Sequence, residues 1–133
     1  MSSTAEGANL EGVGQVAVNV KELDRAVGFY RDVLGMPFLF RIPGAAFFRC
    51  GATRLLLAVA EKPEFDHPAS ILYYRVADIR ASFDALVAAG ARVEREGGEP
   101  HLLAPMPDHD LWMAFLRDSE DNLFALMSEV PRP

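Results

Sequence analysis

The fold is decided by residues 16–35, which read VAVNVKELDRAVGFYRDVLG. Every second residue of the opening VAVNV is a valine, and this alternation predicts a half-buried strand over 13–20. Apolar residues then recur at helical spacing from Leu23 to Leu34, and Gly35 follows where helices commonly end in a left-handed residue. The stretch therefore predicts one strand followed by one amphipathic helix.

Short apolar runs follow this helix, separated by residues that favour turns. The turn residues are Pro43-Gly44 and Gly51, and they divide the segment into three predicted strands. These strands lie around 38–40, 47–49 and 55–59. The first part of the chain is therefore predicted to be a β-α-β-β-β unit.

The same order of elements returns later in the chain. Residues 71–76 predict a strand, Asp78 is a suitable helix N-cap, and Gly90 follows a second amphipathic helix. Extended runs come next at 92–95, 111–117 and 123–128. We predict an α+β fold of two tandem modules, about 13–61 and 70–130, joined by the proline-containing linker 62–69 in a single domain.

Composition excludes several classes of function. The chain has 133 residues, a net charge of −6 and scattered Lys and Arg residues, so we expect neither a nucleic-acid partner nor binding to an acidic membrane. The single cysteine, Cys50, is typical of a reducing compartment, and no apolar run approaches the length of a membrane span. The opening residues 1–12 lack the pattern of a signal peptide. We expect a cytoplasmic protein.

Two stretches of this repeat resemble the vicinal oxygen chelate superfamily, which includes glyoxalases, bleomycin-resistance proteins and extradiol dioxygenases. One is Val18 to Gly35, and the other is Phe115 to Asn122, although Ser119 and Asp121 replace the proline and glycine of the family's turn. The resemblance implies two modules that form a cupped mixed sheet. It also implies a divalent metal held in the cup by the first and last strands of each module.

The residues at those implied ligand positions are mostly apolar. Gln15 is an accepted variant on the first strand, but Ile71 and Ala125 stand where metal-binding members have His and Glu, and 55–58 offers no donor. One neutral amide does not hold a divalent ion against water. We therefore predict no cofactor. The alternative is one divalent metal ion held by a shifted ligand set, Gln15, His101 and His109.

Several polar and aromatic side chains are candidates for ligand binding. If Ile71 points into the cup, Tyr73 and Arg75 share its face, although Tyr73 could pack and Arg75 could pair with a surface acid. Asn19 shares the face of Gln15 or caps the following helix. The remaining candidates are His101 and His109, in a long predicted loop ahead of a strand, and Trp112. Alternation groups Trp112 with Ala114 and Leu116 on one face of that strand, and we predict that Trp112 lines the pocket, the alternative being a place in the core.

Three function classes follow from these residues. The first is a protein that binds a small organic molecule without metal, for which the acidic net charge favours a cationic ligand. The second is a metal-dependent lyase, isomerase or dioxygenase of the glyoxalase type. The third is a metal-free enzyme with His101 or His109 as general base. In each case the family resemblance implies a homodimer in which modules complete each other's cups.

Overall fold

The computed structural model describes residues 7–133 and contains two mixed sheets. The first sheet has the strand order β1-β4-β3-β2, with β1 parallel to β4 and the other neighbours antiparallel. Its strands are β1 (Gln15–Asn19), β2 (Phe38–Ile42), β3 (Ala45–Cys50) and β4 (Thr53–Ala58). Between β1 and β2 lie α1 (Leu23–Gly28) and a π-helical turn (Phe29–Val33). This is the predicted β-α-β-β-β unit.

The second sheet repeats this arrangement with one additional short strand. Its strand order is β5-β9-β8-β6, and β7 also pairs with β8. The strands are β5 (Leu72–Arg75), β6 (Arg92–Val93), β7 (His101–Pro105), β8 (His109–Arg117) and β9 (Leu123–Pro131), and α2 (Ile79–Ala88) follows β5. We call β1–β4 with α1 the first module, and β5–β9 with α2 the second module.

Each module buries one face of its sheet against its own helix. In the first module, Val18 and Val20 pack with Leu55 and Leu57 of β4 and with Tyr30 beside α1. In the second module, Phe83 of α2 packs on side chains of β8 and β9, among them Ala114, Leu116, Phe124 and Leu126. The period-two alternation of the strands leaves the opposite face of each sheet without a helix.

The prediction of a long loop ahead of the Trp112 strand is wrong. His101 begins strand β7, and β7 and β8 form an antiparallel hairpin in which Met106 N donates to His109 O at 2.8 Å. The prolines of this segment concealed the strand, because a proline inside an extended run is also typical of a loop. His101 and Pro105 of β7 and His109 of β8 therefore lie in paired strands rather than in a loop.

The turn between β8 and β9 joins the two modules. Asp118 is buried and accepts hydrogen bonds from the backbone N–H groups of Glu120 and Asn122, both at 2.8 Å. Its other oxygen accepts from the Tyr30 hydroxyl of the first module at 2.7 Å. Asp121 adopts the left-handed conformation, with φ of 67°, at the position where the resemblance leads one to expect glycine. Asp118 and the left-handed Asp121 therefore form the turn without a proline or a glycine.

No helix in residues 7–133 is long and apolar enough to cross a membrane. The predicted absence of a signal peptide rests partly on residues 1–6, which lie outside the described residues.

Candidate functional site

The candidate site is the pair of sheet faces that carry no helix. The first open face bears the side chains of β1 and β4 that alternate with the buried valines and leucines, together with their neighbours on β3 and β2. Its members are Gln15, Ala17, Asn19, Phe40, Phe47, Arg49, Arg54, Leu56 and Ala58. The second open face consists in the same way of Tyr73, Arg75, His101, His109, Met113, Phe115, Ala125, Met127 and Glu129.

Gln15 is already engaged on the first open face. It lies opposite Arg54 in the parallel pairing of β1 and β4, and its Oε1 accepts a hydrogen bond from Arg54 Nε at 2.9 Å. The Arg54 guanidinium also lies over the Phe47 ring, with Cζ 5.4 Å from the ring centroid. The Gln15 side chain therefore helps to hold the Arg54 guanidinium in one orientation on this face.

Asn19 holds the linker in place. Its Nδ2 donates to the backbone carbonyls of Phe65 at 2.7 Å and His67 at 2.6 Å. The linker thereby covers one end of the first open face, where a cavity of about 430 Å³ lies against the small side chains of Ala17 and Ala58. Asn19 shapes the wall of this cavity and has committed both of its amide hydrogens.

The centre of the second open face is aromatic. The Tyr73 ring meets the Phe115 ring edge to face, with centroids 6.4 Å apart, and the His101 ring lies 6.4 Å from Phe115 on the other side. His101 Nδ1 is 2.7 Å from the Glu99 carbonyl. Tyr73 is 48 % exposed, whereas Ala125 beneath these rings is fully buried. The arrangement offers an aromatic surface whose polar groups are the Tyr73 hydroxyl and the His101 imidazole.

One end of the second open face carries paired charges. Arg75 Nε is 3.3 Å from Glu129, whose other carboxylate oxygen is 3.5 Å from His109 Nε2. His109 Nδ1 is 2.7 Å from Asp108, and this hydrogen bond lowers the pKa of the Asp108 carboxyl. Arg75 therefore has a carboxylate partner within its own chain.

His101 and His109 are placed too far apart to share one metal ion within a chain. His101 pairs with Met113, and His109 lies four residues before Met113 on the same strand. At about 3.4 Å per residue the two histidines are about 14 Å apart, which exceeds the span of two imidazoles bound to one ion. Among residues 7–133, no group of three His, Cys, Asp or Glu side chains is suited to hold a metal.

Trp112 does not lie on an open face. Its side chain packs with the buried cluster of α2, β8 and β9, on the same side as Ala114 and Leu116. Sequence alternation grouped these three residues correctly, but the structure packs Trp112 against the core under α2, as the alternative interpretation had it, and not on the open face where the pocket was predicted. The helix covers this side of β8 because its neighbours on β9, Phe124 and Leu126, also point toward α2.

A second cavity, of about 470 Å³, lies between the two modules on their helical side. It is mostly apolar, and its lining includes Leu34, Cys50, Tyr74 and Leu86. Burial raises the pKa of the Cys50 thiol, which favours the protonated and less nucleophilic form. The Tyr74 hydroxyl is buried and has no hydrogen-bond partner among residues 7–133. Burial also raises the Tyr74 pKa.

Sequence reasoning missed the charged residues that define both faces. Arg54 and Arg49 were not singled out, and neither was Glu129, the partner of Arg75. One signal was available, because alternation in the run Thr53–Ala58 places Arg54 on the same face as Leu56. The pairing of that run with β1, which brings Arg54 to Gln15, required the structure.

Comparison with known proteins identifies the family of this fold. Residues 12–126 match the family model described as the Glyoxalase/Bleomycin resistance protein/Dioxygenase superfamily. The chain belongs to this superfamily. A search among curated proteins found no match.

Several solved structures have the same fold. A lactoylglutathione lyase from Agrobacterium tumefaciens is 22 % identical, with a TM-score of 0.67 over 90 % of this chain and 94 % of that one. TnmS3, an antibiotic binding protein from Streptomyces sp. CB03234, is 21 % identical, with a TM-score of 0.71 over 92 % of this chain and 99 % of that one. Identities this low establish the fold alone.

Strand pairing locates the superfamily's implied ligand positions in this chain. Ala17 pairs with Leu56, and Tyr73 pairs with Ala125 at the equivalent place of the second module. Leu56 is therefore the first-module counterpart of Ala125 on the last strand. Gln15 begins β1, and Ile71, which is 41 % exposed, lies directly before β5.

Proposed function

We propose that this chain binds a small organic molecule at its open sheet faces and does so without a resident metal ion. The residues at the superfamily's ligand positions support the absence of metal. Leu56, Ile71 and Ala125 have hydrocarbon side chains, and the Gln15 carbonyl accepts from the Arg54 guanidinium. A positive charge at hydrogen-bond distance from the sole remaining donor repels a divalent cation. The donor set does not fit a metal.

The observation that carries the binding proposal is the cavity of about 430 Å³ at the linker end of the first open face. Its volume suits a small molecule, and it is lined mainly by apolar side chains with a few polar groups, as ligand sites commonly are. The carbonyls that Asn19 binds fix the linker over it. The name of TnmS3, an antibiotic binding protein with the same fold, supports this use of the scaffold.

A direct test combines metal analysis with ligand screening. Protein purified without added metal is expected to contain far less than one equivalent of Zn, Ni, Mn or Fe per chain by elemental analysis. A full equivalent that disappears in Gln15→Ala would overturn the metal-free proposal. Separately, a thermal-shift screen of small organic compounds is expected to yield ligands that Ala17→Trp excludes, because an indole there fills the cavity. Ala52→Trp, in the β3–β4 turn, is the matched control that retains binding.

We also propose that two copies of the chain associate. Strand β2 is an edge of the first sheet and exposes a run of large apolar side chains, Phe38, Leu39, Phe40 and Ile42, each at least 37 % exposed. Exposed apolar edge strands favour pairing with another chain. Sedimentation at micromolar concentration is expected to give a dimer that Phe40→Glu weakens, and a wild-type monomer would contradict the proposal. A cytoplasmic location stays a prediction that rests on the lone Cys50.

A further inference from the structure

The first open face carries two arginines directly opposite each other. Arg49 on β3 pairs with Arg54 on β4, so both side chains leave the same face of the sheet and begin about 5 Å apart. Like charges in this position are destabilising. Neither arginine forms an ion pair with a carboxylate among residues 7–133.

The acidic chain offers many carboxylates that could pair with these arginines. The sequence has 19 Asp and Glu residues against 13 Lys and Arg, and Arg75 on the second open face is paired with Glu129. Arg54 instead has a neutral hydrogen-bond partner, Gln15, and an aromatic one, Phe47. Both contacts orient the guanidinium and leave its charge uncompensated. One edge of the fork, Nε, is used, and the Nη groups remain available as donors.

An aromatic surface lies beside this pair of cations. The Phe47 ring stacks on the Phe40 ring with centroids 4.5 Å apart and an interplanar angle of 20°. Phe40 is 45 % exposed. Phe47 on β3 stands between Phe40 on β2 and Arg54 on β4, so the Phe40 ring and the guanidinium flank the two sides of its ring. The apolar surface left beside the arginines is the edge of the Phe47 ring together with Leu56, which shares the face of Arg54 on β4. The face thus combines oriented cationic donors with a neighbouring apolar surface.

We propose that the first open face recognises an organic anion, with its carboxylate or sulfonate held by Arg54 and Arg49 and its apolar body against Leu56 and the edge of the Phe47 ring. Arginine suits this group because its donors match the two oxygens of a carboxylate. The anion also relieves the repulsion between the two arginines. This inference rests on the proposed function and assigns the ligand a class. It replaces the cationic ligand expected from the net charge by an anionic one, because binding responds to the local charge rather than to the total charge.

The test uses two compounds of the same shape, 1-naphthoate and the neutral 1-naphthamide. Calorimetry with the wild-type chain is expected to show naphthoate binding at least tenfold more tightly than naphthamide. Arg54→Gln is expected to weaken naphthoate binding at least tenfold and to leave naphthamide within twofold. Arg31→Gln removes the same charge from an arginine paired with Asp32 on the helix surface, and is expected to leave both affinities within twofold.

Two further variants separate recognition from folding. Arg49→Gln is expected to weaken naphthoate binding as well, so the proposal can be tested if Arg54→Gln does not fold. Arg54→Lys retains the charge without the fork and is expected to bind naphthoate with intermediate affinity. Equal affinity for the acid and the amide, or no effect of either glutamine variant, overturns the anion inference. A neutral or cationic ligand found in the screen would then leave the proposed binding function intact.

Discussion

The two modules share a topology, but their helices begin in different ways. Helix α2 is capped locally, because Asp78 accepts a hydrogen bond from the Ala81 N–H three residues ahead at 3.1 Å. Helix α1 has no side-chain cap from Glu22. Its cap comes from Glu120 of the second module, which accepts from the N–H groups of Lys21 and Glu22, both at 2.9 Å. The first module therefore depends on the second for the start of its helix.

The largest loss of stability is expected when the cap that Glu120 gives to α1 is removed. Glu120→Ala removes the helix cap and the ion pair with Arg25, whose Nε is 2.7 Å from the carboxylate, and we expect it to lower the free energy of unfolding by about 3 kcal/mol. Asp78→Ala is the matched local cap, for which we expect about 1 kcal/mol. Urea unfolding measures both. Equal losses of unfolding free energy in the two variants would contradict the larger role that we assign to Glu120.

The same carboxylate predicts how stability changes in acid. Burial alone raises the pKa of Glu120, but the hydrogen bonds from Arg25, Glu22 and Lys21 outweigh it and lower the pKa from 4.5 to about 2. The stabilisation is complete above pH 4.5 and is lost as the pH falls toward 2. Unfolding measured from pH 5 to pH 2 is expected to lose stability less steeply in Glu120→Gln. An unchanged slope would contradict the lowered pKa.

Each module has one tyrosine with a buried hydroxyl, Tyr30 or Tyr74, and their phenylalanine variants are expected to change stability by a smaller amount. Tyr30 of the first module donates to the buried Asp118, so Tyr30→Phe leaves a carboxylate without one of its donors and is expected to cost about 2 kcal/mol. The Tyr74 hydroxyl of the second module has no partner among residues 7–133. Tyr74→Phe is therefore expected to be neutral or to stabilise by about 1 kcal/mol. Thermal unfolding of the two variants measures this difference. A destabilised Tyr74→Phe would contradict the prediction, because it would mean that the hydroxyl has a partner.

The smallest changes in unfolding free energy are expected when arginines of the two open faces are replaced. Arg75→Gln breaks an exposed ion pair with Glu129, and we expect a loss of about 0.5 kcal/mol. Arg49→Gln removes a like-charge neighbour of Arg54, and we expect a gain of about 0.5 kcal/mol at low salt. Urea unfolding at low and high salt measures both changes. A loss in Arg49→Gln would mean that its charge is compensated in the folded chain.

The alternation around residues 16–20 and the helical spacing after Leu23 predicted the elements of the first module because both patterns are local. The glycines that end the helices also agreed, with φ of 68° at Gly35 and 107° at Gly90. The repeat of these patterns after Pro68 predicted the second module. Strand β7 was missed because Pro105 and Pro107 interrupt its pattern near the hairpin turn.

The candidate site was predictable only in part. Tyr73 and Arg75 share the second open face as alternation required, and Gln15 lies on the first. The pairs Gln15–Arg54 and Arg75–Glu129 join residues 39 and 54 positions apart. Alternation along a single strand does not predict which strand will lie beside it. The residues that set the charge of each face were therefore not visible beforehand.

The sequence by itself determined the two-module fold, the hydrocarbon residues at three of the superfamily's ligand positions, and the grouping of Trp112 with Ala114 and Leu116. Only the tertiary structure decided that this group faces α2, that Glu120 caps the other module's helix, and that two arginines stand opposite each other without a carboxylate partner among residues 7–133. Periodicity is a property of neighbouring residues, whereas coverage and charge pairing depend on contacts between distant ones.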